Sequence, residues 1–234
     1  MTSSNQTYFE HRRVAPGSSA DPGWLAPYLT SRLPADLQAP ILDFGCGFGA
    51  TVQALRLRGH AAALGWDIEP QALAHCQRSG IPVVDGRLAT LADHPGRFAL
   101  ILCSHVIEHI PKDQIVATLA ALRALLAPDG RLLLCVPNAQ AHTGAYWAFE
   151  DFTHVTAFTS GSVYQVLSLA GFSDIAFIDT DCTAGMSAWR RTIKRSLLAW
   201  YASRYRFWNR VTSSATHATS PNIFSYEVKA WAGR

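Results

Sequence analysis

Three glycines follow a short apolar segment near the start of the chain. Residues 41–50 read ILDFGCGFGA, so Gly45, Gly47 and Gly49 alternate directly after an expected strand. Glycine adopts positive φ without strain and lets a ligand approach the backbone closely. A second apolar segment ends at Asp67, eighteen residues beyond Gly49, and an acid at such a strand end can accept hydrogen bonds from a ribose. The spacing predicts a nucleoside-binding crevice at the carboxyl edge of a parallel sheet.

Asp43 precedes the glycine turn by two residues and indicates the kind of nucleoside. A dinucleotide fold uses G-x-G-x-x-G and rests a pyrophosphate on the helix N-terminus, whereas these glycines follow G-x-G-x-G. A carboxylate at this position would repel a pyrophosphate and attract a sulfonium and an α-amino group. We therefore predict S-adenosylmethionine rather than NAD. A turn that merely packs a helix on a strand would leave Asp67 unexplained.

Two groups of acids and histidines are the catalytic candidates. Asp151 and His154 lie three residues apart in an irregular segment, and we predict His154 as the general base with Asp151 orienting its imidazole. A loop histidine bonded to backbone is the alternative. His105, Glu108 and His109 have the i, i+3, i+4 spacing of one helical face, and such ligands suit a divalent transition metal. A substrate-facing or supporting role for His109 is favoured over a metal.

Short apolar segments alternate with helical patterns along the chain. Strands are expected at 41–44, 61–66, 81–84, 98–103, 131–136, 175–178 and 224–230, and helices at 22–33, 50–58, 70–78, 112–126 and 159–170. This order predicts an α/β fold with a doubly wound sheet. We expect a single domain over 1–234, with a helical lead-in (1–39), a cofactor-binding core (40–180), a basic aromatic segment (182–222) and a closing strand (223–234).

Composition narrows the class of protein. With 234 residues, 49% of them hydrophobic and 16% charged, the chain can bury one substantial core. Its five cysteines have no C-x-x-C spacing, which is typical of reduced thiols in the cytoplasm. The polar N-terminus lacks the apolar core of a signal peptide, and no apolar run approaches the roughly 20 residues that cross a bilayer. We expect a cytoplasmic protein, with the inner face of the membrane as an alternative.

The segment between Cys182 and Tyr226 is basic and aromatic. It contains no acid and seven bases, so a net charge of +3 leaves 3 − 7 = −4 for the rest of the chain. A helical projection places Ile193, Leu197, Trp200 and Tyr201 on one face. We favour a lid over the site or a homodimer interface, with an anionic membrane surface as the alternative. No nucleic-acid partner is expected, since no RNA-binding module accompanies the segment.

Four stretches resemble the class I S-adenosylmethionine-dependent methyltransferases. They are residues 41–49, 65–70 (GWDIEP), 98–110 (FALILCSHVIEHI) and 125–138 (LLAPDGRLLLCVPN). The resemblance runs from about 40 to 172 and implies a Rossmann-like, seven-stranded, mostly parallel sheet with an antiparallel last strand. It implies glycines beneath the methionine part, Asp67 on the ribose, and a further set near the adenine or the methyl group. The implied cofactor residues are Asp43, Gly45, Cys46, Gly47, Gly49, Asp67, Ile68, Asp85, Gly86, Cys103, Ser104 and His105.

A narrower resemblance bears on the acceptor. Residues 151–159 and 167–172 are similar to methyltransferases found with bacterial surface-glycan synthesis. This resemblance implies O-methylation of a sugar hydroxyl on a glycan or other small-molecule substrate. A quinone or phenol O-methyltransferase is an alternative, because such enzymes carry Glu-x-x-Glu-His where this chain has His105, Glu108 and His109. An amine N-methyltransferase is a further alternative. A non-catalytic scaffold that binds the cofactor is another, but the complete set of cofactor motifs argues against it, since such a protein need not keep Asp43, Asp67 and all three glycines.

Overall fold

The computed structural model describes residues 8–11, 23–88, 97–214 and 221–234. Within these ranges one seven-stranded sheet has the order β3-β2-β1-β4-β5-β7-β6. The strand β7 pairs antiparallel with β5 and β6, and the other pairs are parallel. The predicted seven-stranded Rossmann-like sheet with an antiparallel last strand is confirmed. The strands are β1 (Ile41–Phe44), β2 (Ala63–Asp67), β3 (Val83–Asp85), β4 (Phe98–Ser104), β5 (Leu126–Pro137), β6 (Ser173–Phe177) and β7 (Glu227–Gly233).

Helices connect the strands, and the longest described one precedes β7. The predicted helix at 22–33 is reduced to a short helix, whose N-terminal proline has the φ that a first turn requires; position 22 lies outside the described residues. Thr159 caps α7 as expected, in a capping box with Ser162. The helices are α1 (Tyr8–His11), α2 (Pro27–Thr30), α3 (Ala50–Leu57), α4 (Pro70–Arg78), α5 (Ile115–Leu125), α6 (Gly144–Glu150), α7 (Ser160–Leu169) and α8 (Ala188–Val211), with a 3₁₀ helix at Ile107–His109.

Both faces of the sheet are buried. In β4, Leu100 and Leu102 belong to an apolar cluster on one face, and Ile101 and Cys103 belong to the cluster on the other. These four side chains are at most 2% exposed, which explains why β4 reads as an uninterrupted apolar run. The strand ends that carry the predicted site therefore rest on a packed frame.

The strands β5 and β7 depart most from the predicted bounds, and β2, β3, β4 and β6 differ from theirs by one or two residues. β5 begins at Leu126 instead of 131, and its pairing with β4 shifts register between Phe98 and Leu100. Gly130 lies at this irregularity, where an added Cβ would stand 2.6 Å from the carbonyl oxygen of Phe98. The expected turn at 128–130 is thus absorbed into the strand as a bulge. β7 occupies Glu227–Gly233 rather than 224–230.

Helix α8 forms the predicted helical insertion before the last strand, but one of its aromatic residues faces differently from the projection. The Tyr201 ring packs edge-on against Phe224 and His142, with ring centroids 5.4 and 5.9 Å away. Ile193 and Leu197 are instead more than half exposed. Tyr201 therefore belongs to the face that contacts the protein body, and the prediction that grouped it with Ile193 and Leu197 is wrong.

Candidate active site

The glycine turn joins β1 to α3 and is tied to the end of β2. The Gly45 N–H donates to the carbonyl of Trp66 over 2.8 Å. Gly45 and Gly47 have φ of +75° and +53°, in the left-handed region that favours glycine. A Cβ on Gly45 would stand 2.3 Å from Val106, whereas one on Gly47 would meet only Phe9, at 3.6 Å. The turn is therefore closed beneath Gly45 and more open above Gly47, where a ligand could approach the backbone.

Asp67 lies at the predicted strand end and faces this turn. The Gly47 N–H donates to its Oδ2 over 2.7 Å, and the Glu69 N–H donates to its Oδ1 over 2.8 Å. An ionised carboxyl group has about four acceptor positions, so two hydrogen bonds leave capacity for the hydroxyls of a ribose. The structure thus brings the turn and the acid together, as the sequence spacing predicts.

Asp43 places a second acid at the same edge. Its side chain is 6% exposed, and burial together with the nearby Asp67 carboxylate raises the pKa of Asp43 to about 7. Two buried carboxyl groups repel each other when both are ionised, and a cation between them would relieve that cost. The sulfonium and α-ammonium groups of S-adenosylmethionine satisfy this requirement, and a pyrophosphate does not. The two carboxyl groups of Asp43 and Asp67 therefore fit the predicted cofactor.

The remaining residues of the implied cofactor set differ in exposure. Ile68 is 48% exposed just past β2, and Gly86 keeps space beside Trp66, whose Nε1 would lie 2.4 Å from an added Cβ. The Asp85 carboxylate accepts hydrogen bonds from Arg87, which hold the pKa of Asp85 below its usual range. Ile68 and Gly86 are thus adjacent to the ribose acid, while the carboxylate of Asp85 is engaged elsewhere.

Two cofactor candidates, Cys46 and Cys103, offer little side-chain surface to the crevice or none. A Cβ added to Gly65 would lie 2.6 Å from the Cys46 Sγ, so that thiol packs onto β2. Its hydrogen bond with Cys76, followed by burial, raises the pKa of Cys46. The Cys103 side chain is fully buried in the core, whereas Ser104 is exposed where β4 ends. Cys103 could contact a ligand through its backbone alone.

His105 follows β4 in a left-handed conformation with φ of +56°. Its Nε2 lies 2.9 Å from Glu227 Oε1, and its Nδ1 lies 3.4 Å from Glu108 Oε1. Burial opposes a charge on this ring, but the two carboxylates outweigh it and raise the pKa of His105 to about 9. At neutral pH the ring is therefore an imidazolium, which cannot accept a proton from a substrate.

A hydrogen-bonded chain links Asp151 to His109. The Thr153 hydroxyl donates to Asp151 Oδ1 over 2.7 Å, and the Thr153 N–H donates to the same oxygen over 3.0 Å. The Thr153 oxygen also lies 2.8 Å from His109 Nδ1. Because its proton is directed to Asp151, this oxygen accepts from an Nδ1–H, and the Nε2 of neutral His109 carries the lone pair. Asp151, predicted to orient His154, therefore orients His109 through Thr153.

His109 and His154 are neighbouring rings, with centroids 4.6 Å apart. Burial lowers the pKa of His109, and the adjacent His154 ring acts in the same direction. His109 is thus neutral at physiological pH, whereas His105 is charged. Groups whose surroundings push their pKa values apart are suited to separate roles, and of His105 and His109 only His109 is able to accept a proton at neutral pH.

The expected metal ligands are only partly brought together. Within the described residues, Glu108, His109 and His154 each place a ligand atom within 4.8 Å of the others. His105 is not in this group, because its left-handed backbone interrupts the helical spacing and its ring pairs with Glu227. The ligand atoms that the structure brings together are therefore those of Glu108, His109 and His154, rather than those of His105, Glu108 and His109. Glu108 is 1% exposed, and apart from the 3.4 Å approach of His105 its carboxylate oxygens have no hydrogen-bond partner among the described residues.

Sequence reasoning missed several residues that complete the site. The Tyr8 hydroxyl donates to Asp151 Oδ2 over 2.9 Å, and its ring lies edge-on to His109. The next residue, Phe9, contacts Phe48 in the glycine turn at a centroid distance of 4.4 Å. Helix α1 thus joins the cofactor side of the site to the catalytic side. Its aromatic pair near the N-terminus was the available signal, but nothing in the spacing indicated its partners.

A separate cavity of about 380 Å³ lies between α2 and the start of α8. Tyr28, Arg32, Asp181 and Arg195 are among the residues that line it. None of the predicted site residues lines this cavity; they lie at the glycine turn and around His109 instead.

A family described as "Methyltransferase domain" matches residues 23–176, more than half of the chain. A ubiquinone biosynthesis O-methyltransferase of Xylella fastidiosa is 36% identical over 120 residues, which are 47% of this chain and 46% of that protein. The same enzyme of Azotobacter vinelandii is 35% identical over 105 residues, or 42% and 44% of the two chains. The chain therefore spans about half the length of the curated relatives it matches.

Solved structures share the fold at low sequence identity. An S-adenosylmethionine-dependent methyltransferase from Mesorhizobium loti superposes with a TM-score of 0.62 at 17% identity, covering 93% of this chain and 100% of that one. Human N-acetylserotonin methyltransferase, solved with S-adenosylmethionine, gives 0.60 at 12% identity over 99% of this chain and 56% of its own. The resemblance to class I S-adenosylmethionine-dependent methyltransferases is confirmed at the level of the fold and the domain.

Proposed function

Because the chain belongs to the methyltransferase-domain family, we propose that it is an S-adenosylmethionine-dependent O-methyltransferase with His109 as general base. The observation that carries this proposal is the chain of hydrogen bonds from Asp151 through Thr153 to His109 Nδ1. It leaves the Nε2 of a neutral imidazole to accept a proton. An acceptor hydroxyl needs such a base, whereas an amine that is already unprotonated does not. The relay therefore favours methylation of oxygen over nitrogen.

The cofactor would be held at the glycine turn by the two acids of strands β1 and β2. When bound, it supplies an electrophilic methyl group on a sulfonium sulfur. Asp67 would bind the ribose hydroxyls, and Asp43 would face the positive groups. The open side of Gly47 would admit the methionine part to within contact of the backbone.

The acceptor would be oriented by the side chains around His109. Its hydroxyl would donate to His109 Nε2, and the resulting imidazolium would be stabilised by Thr153 and the Asp151 carboxylate. A positioned base contributes about 10²- to 10⁴-fold to such a step. Tyr8 and His154 flank the His109 ring and would restrict the approach of the acceptor to one side.

We propose a phenol or quinol as the acceptor class. The support is that the Xylella and Azotobacter relatives are named for O-methylation in ubiquinone biosynthesis. A sugar hydroxyl is the second candidate, because residues 151–159 resemble glycan-associated methyltransferases. A phenol has a pKa near 10, as tyrosine does, so a neutral imidazole removes its proton more readily than that of an alcohol. The chemistry of the base therefore favours the first class.

Paired substitutions test the role of His109. His109→Gln is expected to lower methyl transfer to a catechol about 10²- to 10⁴-fold while the affinity for adenosylhomocysteine, measured by calorimetry, stays unchanged. His154→Gln is the matched control and should retain far more turnover. If His154→Gln instead lowered turnover more than His109→Gln did, the general base would be His154. Transfer to a methyl glycoside but not to catechol would select the sugar class, and no transfer to any acceptor by a protein that binds the cofactor would favour a scaffold.

A divalent metal at Glu108, His109 and His154 is a competing use of the same side chains. Carboxylate and imidazole ligands suit a transition metal, and a metal would occupy the His109 lone pair that the base requires. A cavity of about 10 Å³ beside Glu108 and His154 has room for about one water molecule. His109 therefore cannot be a metal ligand and a general base at the same time. Removal of metal with a chelator distinguishes the two roles.

A further inference from the structure

Helix α8 exposes to solvent an apolar stripe that Arg204 interrupts between Trp200 and Phe207. The stripe residues follow one another at spacings of three, four or seven positions, and each is more than half exposed. At 3.6 residues per turn they cover about 100° of the helix surface. No residue of α8 is buried, although the helix has 24 residues. The stripe consists of Trp189, Ile193, Leu197, Trp200, Phe207 and Val211.

A different face fixes α8 to the protein body. The Lys194 ammonium donates to the carbonyl of Cys182 over 2.7 Å. Tyr201 and Tyr205 both pack edge-on against Phe224, with ring centroids 5.4 and 5.1 Å away. These side chains project about 90° to about 130° away from the centre of the stripe. Because α8 is held by this second face, the stripe stays directed away from the body.

Positive charge accompanies the apolar surface. The sequence from 182 to 226 has seven bases and no acid, while the rest of the chain carries a net charge of −4. Two arginines lie on the stripe side, each over a tryptophan. The Arg190 guanidinium is 5.2 Å from the Trp189 ring, and that of Arg204 is 5.0 Å from the Trp200 ring. Aromatic rings paired with cations suit the headgroup level of a membrane, where one end is apolar and the other is hydrated.

We propose that α8 docks the protein onto an anionic lipid surface, with the stripe in the interfacial region and the bases toward the headgroups. None of the described helices is long and apolar enough to cross a bilayer, so α8 would lie in the plane of the surface. A second copy of the chain is a poorer occupant. A two-fold interface centred on the stripe would bring Arg190 and Arg204 of both copies together, and juxtaposed like charges are costly.

The proposal is independent of the chemistry at His109, because docking requires neither cofactor nor acceptor. Failure of vesicle binding would therefore leave the proposed function untouched. Conversely, an inactive protein that binds vesicles would refute only the methyl transfer.

Vesicle co-sedimentation of the whole chain tests the proposed docking of α8 onto an anionic lipid surface. The wild type is expected to bind vesicles of phosphatidylcholine with about one third phosphatidylglycerol, and to bind pure phosphatidylcholine vesicles at least about tenfold more weakly. Leu197→Glu should lower binding to the anionic vesicles about tenfold or more. Leu57→Glu on α3 is the matched control, since Leu57 and Leu197 are each 62% exposed, and it should bind as the wild type does.

Several outcomes would overturn the proposal. They are a wild type that ignores anionic vesicles, equal binding to both vesicle types, and equal weakening by Leu57→Glu and Leu197→Glu. Sedimentation velocity could reveal a further outcome that overturns the proposal. A wild-type dimer that Leu197→Glu dissociates, with no vesicle binding by either protein, would assign the stripe to a second copy.

Discussion

Asp43→Asn should change how the stability of the cofactor-free protein depends on pH. In the unfolded chain this carboxyl group loses its proton near pH 3.9. In the folded protein burial and Asp67 raise its pKa to about 7. Between these values unfolding releases a proton, so the free energy of unfolding falls as the pH rises. Replacement by a neutral amide removes this dependence.

The magnitude follows from the size of the pKa shift. The difference between these pKa values corresponds to about 4 kcal/mol over the whole titration, of which roughly half or somewhat more falls between about pH 5 and about pH 8. Other groups titrate as well. The pKa of His105 is raised to about 9 and that of Glu227 is lowered to about 2. Their contributions cancel in the difference between the variant and the wild type.

Urea unfolding of both proteins across this pH range measures the difference. Relative to Asp43→Asn, the free energy of unfolding of the wild type should fall by about 2–3 kcal/mol on going from about pH 5 to about pH 8. Asp113→Asn, at an exposed position, is the control and should run parallel to the wild type. A constant difference between Asp43→Asn and wild type across the range would show that Asp43 titrates normally. A cation between Asp43 and Asp67 would then have no buried charge repulsion to relieve.

Three further predictions concern the relay, the metal and the glycine turn. Thr153→Val should lower kcat about tenfold with unchanged adenosylhomocysteine affinity, and Thr153→Ser should restore it; equal rates for valine and serine would remove the relay from catalysis. Dialysis against a chelator should leave kcat within about twofold, because His109 acts as a base; loss of activity that Mn²⁺ restores would reassign His109 as a ligand. Gly45→Ala should destabilise the fold by about 1–3 kcal/mol more than Gly80→Ala in urea unfolding. Both glycines have positive φ, but only the added Cβ at Gly45 meets a neighbour, Val106 at 2.3 Å, and equal losses would contradict the close contact.

The cofactor half of the site could be predicted because it depends on short-range signals. The turn from Gly45 to Gly49 and the acid at Asp67 sit at the ends of apolar strands, and parallel strands bring their carboxyl ends to one edge. The lengths and order of strands β1 to β4 follow from the same apolar runs. This part of the fold is encoded by local sequence patterns, in which apolar residues either alternate with polar ones or run continuously.

The catalytic half could be predicted only in its residue types. His105 was grouped with Glu108 by helical spacing, but a φ of +56° on a non-glycine residue is set by tertiary packing and leaves no local signal. One hydrogen-bond partner of Asp151 is Thr153, only two residues away. An Asp side chain commonly accepts from the backbone two residues on in a turn, so this contact could have been predicted. Tyr8 reaches Asp151 across 143 positions, which spacing cannot reveal.

The face of α8 illustrates a different limit. A helical projection shows that Leu197 and Trp200 share a side, but it does not show which of two neighbouring sides packs on the body. Tyr201 lies within one residue of the stripe and turns toward Phe224 instead. Amphipathicity identified the helix, and only the tertiary structure identified the exposed apolar surface.

Calorimetric titration with adenosylhomocysteine tests the central claim most directly, because the proposed methyl transfer depends on the cofactor crevice. The wild type is expected to bind one equivalent, and Asp67→Asn is expected to weaken binding at least about tenfold, or about 1.4 kcal/mol. Wild-type protein that ignores adenosylhomocysteine but binds NAD at the same crevice would contradict the account.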